Sequence, residues 1–297
     1  MVEGTIIKGI AGFYYVEAGQ TIYECKARGK FRNKNIIPVI GDNVLISLKE
    51  EENSTDRYLE GTIEEILERK NSLIRPAVAN VDQAMVVFSV TYPQIHLDLL
   101  DRFLLHIEKE GIIPCIILNK IDEGNPETYE YIARRYTKVG YEVICLSAKK
   151  AIHTELLMPK LKDKTTVFAG PSGVGKSTLI NTVEEGLGLE TGHVSDKIKR
   201  GKHTTRHVEL IPLSGGGFVL DTPGFTSLQL DGIEADDLQY YFPEFKDYIG
   251  FCKFRGCTHI HEPGCKVQQA LENGEIIKER YETYTTYYKQ LKETRRW

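Results

Sequence analysis

Long apolar runs are missing from this sequence. The longest, such as Ile112 to Leu118, fall far short of the roughly 18 residues a membrane-spanning helix needs, so a membrane span is not expected. A secretory start is missing as well, because Met1 to Val16 carries Glu3 and Lys8 inside its apolar stretch and offers no small-residue cleavage site. The six cysteines therefore point to a reducing, cytoplasmic setting. There is no excess of positive charge: 38 Lys and Arg against 42 Asp and Glu leave −4, so any contact with nucleic acid must be local. Internal repeats and low-complexity segments are absent. What remains is a globular balance, 41% hydrophobic and 27% charged, over 297 residues, too long for one ordinary domain and enough for two or three.

Residues 1 to about 70 read as short strands, Thr5 to Tyr15, Thr21 to Ala27, Asn43 to Leu48 and Gly61 to Leu67, which predict a small closed barrel of the OB type. Lys26, Arg28, Lys30, Arg32 and Lys34 alternate with other residues around Phe31, with no acid among them. They fit either a lysine-protected edge strand or a local nucleic-acid contact. After Arg75-Pro76 the texture changes. Ala84 to Val90, Ile112 to Leu118, Glu142 to Leu146, Thr165 to Ala169 and Phe218 to Leu220 look like strands buried on both faces. Leu97, Leu100, Leu104 and Ile107 recur at helical spacing, and Tyr129 to Val139 is a second helix, so a mostly parallel α/β sheet follows. Beyond about residue 228 come a short acidic helix, a Cys/His-rich loop and a helical tail. In the tail, Tyr281, Tyr284, Tyr288 and Leu291 face the core, and Lys278, Arg280, Lys289, Lys292, Arg295 and Arg296 form a basic side open to a phosphate backbone. Cys25, Cys115 and Cys145, scattered among apolar neighbours, read as buried free thiols.

Gly170-Pro171-Ser172-Gly173-Val174-Gly175-Lys176-Ser177 fits G-x-x-x-x-G-K-[ST], after one strand and before a helix. Its glycines let backbone N–H groups close around phosphates, Lys176 neutralises β- and γ-phosphate charge, Ser177 ligates Mg²⁺, and Thr178 adds an amide near the α-phosphate. Asp221-Thr-Pro-Gly224 ends a strand where such proteins place the Asp of the Mg²⁺ site, with the Gly224 amide toward a γ-phosphate. Asn119-Lys120-Ile121-Asp122 resembles the guanine-specificity element of GTPases: the Asp122 carboxylate accepts from both N1–H and the exocyclic amine of guanine, a donor pair adenine lacks. Asn119 would secure the loop, and the Lys120 stem would lie over the ring. Ser147-Ala148-Lys149 resembles its companion, with the Ala148 amide toward the guanine carbonyl. Both elements precede the phosphate loop, the reverse of the ordinary GTPase order, so the domain is circularly permuted.

Between phosphate loop and Asp221 lies a basic stretch with Lys197, Lys199, Arg200, Lys202, His203, Thr204, Thr205 and Arg206. Thr204 and Thr205 are the candidates to complete the Mg²⁺ shell, with Thr205 the first choice. Phe225 stands where Ras-type proteins have a water-orienting Gln, which leaves His203 as the nearest candidate for that task. Cys252, Cys257, His259 and Cys265 offer a closed Cys₃His set suited to structural zinc, with His261 a spare that could replace His259. Lys26 to Lys34 and Lys197 to Arg206 form two local positive surfaces on an otherwise acidic chain.

In this order, behind an OB-like segment, these motifs resemble the circularly permuted, small-ribosomal-subunit-dependent GTPases of bacteria over nearly the whole chain. The resemblance implies GTP binding and hydrolysis to GDP, Mg²⁺ and one structural Zn²⁺. It implies the small (30S) ribosomal subunit as partner and stimulator, in late assembly, and rRNA contacts from the OB, switch and zinc modules. A monomer with an OB domain over 1–70, a permuted GTPase domain over 71–228 and a mainly helical zinc domain over 229–297 is expected. Two other readings stay open: a metallochaperone GTPase, which would need an open, exchangeable metal site, and a nucleotide-gated RNA-binding module with negligible turnover.

Overall fold

The computed structural model describes residues 1–33, 36–49, 58–73, 76–184, 209–221, 230 and 232–294, without the side chains of residues 32, 33, 221 and 294. Strands β1 (Val2–Ile10), β2 (Phe13–Ala18), β3 (Thr21–Ala27), β4 (Asn43–Leu48) and β5 (Leu59–Ile66) close into a barrel in the order β1-β2-β3-β5-β4. The single strand expected over Thr5 to Tyr15 is two, because Ala11 (φ 51°) and Gly12 (φ 86°) make a tight hairpin turn. The basic run is neither of the forms expected of it. Lys26 and Ala27 end β3, and a helical turn, α1 (Gly29–Asn33), follows. That turn buries Phe31 in the barrel core beside Ile6, Val16, Val44 and Ile63, so its ring is not a surface platform. Arg28 pairs with Glu64 at 2.9 Å.

The barrel is joined to the second layer by strand alternation. Ile6 points into the barrel, whereas Ile7 points out and is buried nonetheless, in the core that also holds Val78, Val81 and Leu210. A register shift between Ile6 and Lys8 turns Lys8 outward too, where its ammonium meets Glu209 at 2.7 Å. At Gly41 (φ 83°) a Cβ would collide with the Ala79 carbonyl, so only glycine lets the barrel backbone approach there.

A short pair, β6 (Ser72–Leu73) and β7 (Val78–Ala79), leads into the central sheet. That sheet comprises β8 (Gln83–Ser89), β9 (Ile113–Asn119), β10 (Glu142–Cys145), β11 (Thr165–Ala169), β12 (Leu210–Pro212) and β13 (Phe218–Asp221), in the order β10-β9-β8-β11-β13-β12. The strands run parallel except β12, which is antiparallel to β13. Helices α2 (Leu97–Lys109), α3 (Pro126–Val139), α4 (Met158–Leu161) and α5 (Lys176–Val183) connect them. Every residue of β8 is buried, as a central strand covered on both faces requires. Burial pushes the Cys25 and Cys115 thiols up to about 12, which makes them inert, while Cys145 is only half-buried, contrary to expectation.

In the C-terminal region two 3₁₀ turns, Leu238–Tyr241 and Pro243–Phe245, stand where a short acidic helix was expected. Pro243 lacks an N–H and forces the preceding residue out of helical geometry. Helices α6 (Lys266–Glu272) and α7 (Lys278–Thr294) complete the chain. Tyr284 and Leu291 are buried as expected, joined by Tyr287, while Tyr281 and Tyr288 are only half-buried. Among the described residues, no helix is long and apolar enough to cross a membrane.

Arg280, expected on the basic side of the tail, is instead fully buried. Its guanidinium donates to Asp101 of α2 at 2.8 Å and bidentately to Glu244 at 2.6 and 3.1 Å, and it lies over the Phe242 ring at 4.7 Å. Asp101 also accepts from Tyr136 Oη at 2.8 Å and Thr283 Oγ1 at 3.2 Å. Here α2, α3, the Glu244 turn and α7 meet around one cation. Arg280→Ala strands two buried carboxylates and should cost about 3–5 kcal/mol in urea unfolding; Arg280→Lys, lacking the planar fork, should not restore it.

Candidate nucleotide and metal sites

The segment Gly170 to Ser177 joins the C-terminal end of β11 to α5, the position at which parallel sheets bind ligands. Gly170 (φ 136°), Gly173 (φ 83°) and Gly175 (φ 99°) all adopt left-handed geometry. A Cβ on Gly170 would strike the Val87 carbonyl of β8, and one on Gly175 the Asn119 amide. Val174 is buried and anchors the loop in the core below. Ser172 and Gly173 are exposed at the tip, and Pro171, Ser177 and Thr178 are half-buried. The Lys176 ammonium curls back onto the Gly170 and Pro171 carbonyls, each at 2.8 Å, and so lies in the loop's own concavity.

Asn119, the last residue of β9, is buried and its amide joins three segments. Its Nδ2 donates to the Val174 carbonyl at 2.8 Å, and its Oδ1 accepts from the Lys120 amide at 2.8 Å and the Ala148 amide at 3.1 Å. The phosphate loop, Asn119 to Asp122 and Ser147 to Lys149 are thereby laced together. The Ala148 amide, expected to face a guanine carbonyl, is here turned to Asn119. Lys120 (φ 67°) spans the same junction, donating to the Gly173 carbonyl at 2.8 Å and the Tyr92 carbonyl at 2.6 Å, and burial lowers its pKa. The Ile121 amide reaches the Leu146 carbonyl at 3.3 Å, which leaves Asp122 exposed at the turn. Buried Ser147 accepts from the Lys150 amide at 3.1 Å, and exposed Lys149 pairs with Glu123 at 3.2 Å. Tyr92 belongs to this junction without any motif to announce it, because it contributes only a carbonyl.

Asp221 ends β13 in register with Phe168, beside the start of the phosphate loop. Its side chain, like that of Arg32, lies outside the described residues. So do Lys34, Lys197, Lys199, Arg200, Lys202, His203, Thr204, Thr205, Arg206, Gly224, Phe225, Arg295 and Arg296.

The second cluster is Cys252, Cys257, His259 and Cys265, whose ligand atoms all lie within 4.8 Å of one another. His261 is exposed and outside the group. The His259 Nδ1 faces Cys265 Sγ at 3.3 Å and Cys252 Sγ at 3.6 Å. Its Nε2 meets Gln239 Oε1 at 2.8 Å, a bond that fixes the tautomer with Nδ1 as the ligating atom. Burial lowers the His259 pKa and so favours the neutral imidazole a metal needs. Burial and the neighbouring thiols push Cys257 up to about 12, so three sulfurs this close ionise together only around a cation. The donor set is compatible with a four-coordinate zinc ion. Gln239 gave no sequence signal, since it lies well upstream of the ligands.

Residues 66–231 match the sequence model of the RsgA GTPase, and residues 3–55 that of the RsgA N-terminal domain. The chain belongs to the RsgA GTPase family. Its relatives include the small ribosomal subunit biogenesis GTPase RsgA of Alkaliphilus metalliredigens, 48% identical over 297 residues and covering 100% of both chains. The protein of the same name from Halalkalibacterium halodurans is 47% identical over 295 residues, covering 98% of each. Among solved structures, YloQ, described as a circularly permuted GTPase, superposes with TM-score 0.82 at 39% identity, covering 99% of this chain and 96% of its own. YjeQ from Thermotoga maritima gives 0.84 at 34% identity, covering 98% of each. This RsgA-family chain is therefore a GTP hydrolase with an N-terminal barrel, a circularly permuted GTPase domain and a C-terminal helical region that bears the Cys/His cluster. GTP, GDP and Mg²⁺ are the ligands the family implies.

If Asn119 holds the cradle together, Asn119→Ala loses its bonds to two other loops and should raise the calorimetric Kd for GTP by about 10- to 100-fold while the fold persists. An unchanged Kd would show that the loops hold their places without it.

Proposed function

We propose that this GTPase binds the small (30S) ribosomal subunit and its rRNA, and that GTP hydrolysis times a late step of the subunit's assembly. The observation that carries the reading is the Asn119 junction, which builds a guanine-type cradle from segments in permuted order, as in relatives named for small-subunit biogenesis. In the proposed mechanism the amides of Gly173 to Thr178 surround the phosphates, and Asp122 reads the guanine donor edge. Lys176 leaves the Gly170 and Pro171 carbonyls for the β- and γ-phosphates, exchanging neutral acceptors for charged ones. Mg²⁺, when bound, supplies neutralisation of developing phosphate charge. Ser177, Asp221 and either Thr204 or Thr205 would hold it. His203 orients the attacking water, and Gly224 senses the γ-phosphate. Because Asp221 to Gly224 runs directly into the C-terminal region, a change there is passed to the Arg280-centred junction.

The local positive surfaces, Lys26, Arg28, Lys30, Arg32 and Lys34, and Lys199, Arg200, Lys202 and Arg206, are proposed as rRNA contacts. Arg28, already paired with Glu64, is the weakest of them. GTP turnover measured with and without purified 30S particles tests the reading. Stimulation by the particles, with retention on them in a non-hydrolysable GTP analogue and release in GDP, is expected, and the binding should weaken steeply with salt. Turnover indifferent to the particles and salt-independent cosedimentation would overturn it.

The Cys/His cluster is proposed as a structural zinc site. Metal analysis should find one zinc per chain. Cys257→Ala should remove it and melt the C-terminal region, since bound structural zinc carries about 10–16 kcal/mol, while GTP still binds. Zinc lost to mild chelation with the fold intact would instead favour a metal-handling GTPase.

A further inference from the structure

The metal-bearing loop carries a surface that the nucleotide chemistry does not use. Phe251 and Phe254, on either side of Cys252, are 71% and 46% exposed. Neighbouring rings behave in the ordinary way: Phe242, Phe245 and Tyr284 pack edge-to-face and stacked around His259 in the core. The difference lies in the loop. Cys252 is drawn toward Cys265 and His259, and the Lys253 amide is bound to the Gly264 carbonyl at 3.3 Å. With its backbone pinned there, the loop presents its two phenyl rings to solvent. Three residues of chain keep their Cα atoms within about 11 Å of each other.

The surroundings are cationic. The Lys253 ammonium lies 5.6 Å from the Phe254 ring centroid, and Arg255, His261 and Lys266 are all exposed. Between Phe251 and Lys266 the one acid is Glu262, and its carboxylate is already engaged. It accepts from the Thr258 amide at 2.8 Å and hydroxyl at 2.6 Å, and from the Ile260 and His261 amides at 3.2 and 3.1 Å. Burial raises the Glu262 pKa, but these donors outweigh it and hold the group at about 2, a satisfied anion that does not repel phosphate. Flat apolar rings set among uncompensated cations complement a ligand with flat faces on an anionic backbone. Double-stranded RNA hides its base faces in the stack, whereas a single strand offers them.

We propose that Phe251 and Phe254 form a stacking platform for unpaired bases of single-stranded RNA, with Lys253 and Arg255 on the adjoining phosphates. The proposal deepens the small-subunit reading and rests on it for the source of the RNA. Its test uses the full, zinc-loaded chain and fluorescence anisotropy with a labelled, unstructured RNA of about 12 nucleotides and a duplex of equal length. Phe251→Ala and Phe254→Ala should each weaken single-strand binding about tenfold, with duplex binding, zinc content and subunit-free GTP turnover unchanged. Phe→Tyr at either position should retain binding. Wild-type affinity in both alanine variants, or equal losses for single strand and duplex, would overturn the platform. So would loss of 30S binding with oligonucleotide binding intact, which would assign the rings to a protein partner. Failure of 30S particles to stimulate wild-type turnover, with the oligonucleotide result as expected, would sink the small-subunit reading and leave the platform standing.

Discussion

A buried primary amide has two donor hydrogens and two acceptor lone pairs, and at the mouth of this sheet the Asn119 side chain directs them to separate loops. The consequence is large because of the chain order. Asn119, Ala148 and Val174 are remote in sequence, and no short covalent link fixes their separation. The amide supplies that link in a place where water is excluded, so each missing bond would leave a buried polar group unpaired. Gly175 follows from it, since any side chain there would displace the Asn119 amide. Lys120 repeats the lacing one residue further out, through the carbonyls of Gly173 and Tyr92. The nucleotide cradle is thus a set of strand ends held at fixed distances by two side chains of one motif.

A second constraint of the same kind ties the C-terminal region to the sheet domain. Arg280 sits between Asp101 and Glu244, with aromatic faces beside it, and desolvation makes that arrangement tolerable only while both carboxylates remain in place. The Cys/His cluster stands on the other side of the same aromatic core, where Phe245 and Tyr284 contact His259. Metal loop, α7 and α2 therefore share one packed unit. The barrel is attached differently, by Ile7 entering the neighbouring core and by the close backbone approach at Gly41. These two modes of attachment differ in sensitivity, because an apolar seam survives small shifts that a bidentate ion pair does not.

Much of this was legible in the residues. Apolar runs placed the sheet strands to within a residue or two, since a strand buried on both faces has no polar positions to blur it. The phosphate loop, Asn119 to Asp122, and Cys252 to Cys265 were legible because their chemistry demands fixed residue types at fixed spacing. Other features were misread for physical reasons. Residues Ala11 and Gly12 look like a continuing strand until their positive φ angles are known. Phe31 looks like a surface ring amid cations until the helical turn α1 swings it into the barrel. Arg280 looks like one more solvated charge on an amphipathic tail until Asp101 is brought to meet it.

The sequence by itself determined which local groups exist: the glycines that permit left-handed turns, the lysine and amide of the nucleotide motifs, the four metal donors and the permuted order. Those are short-range properties, set by residue type and by neighbours a few positions away. Only the tertiary structure decided which of them meet. It sent the Asn119 amide to Val174 and Ala148, chose His259 over His261 through Gln239, and buried Arg280 while leaving Phe251 and Phe254 in solvent. Each of those outcomes depends on pairs of residues far apart along the chain, whose separation is fixed by packing rather than by sequence spacing.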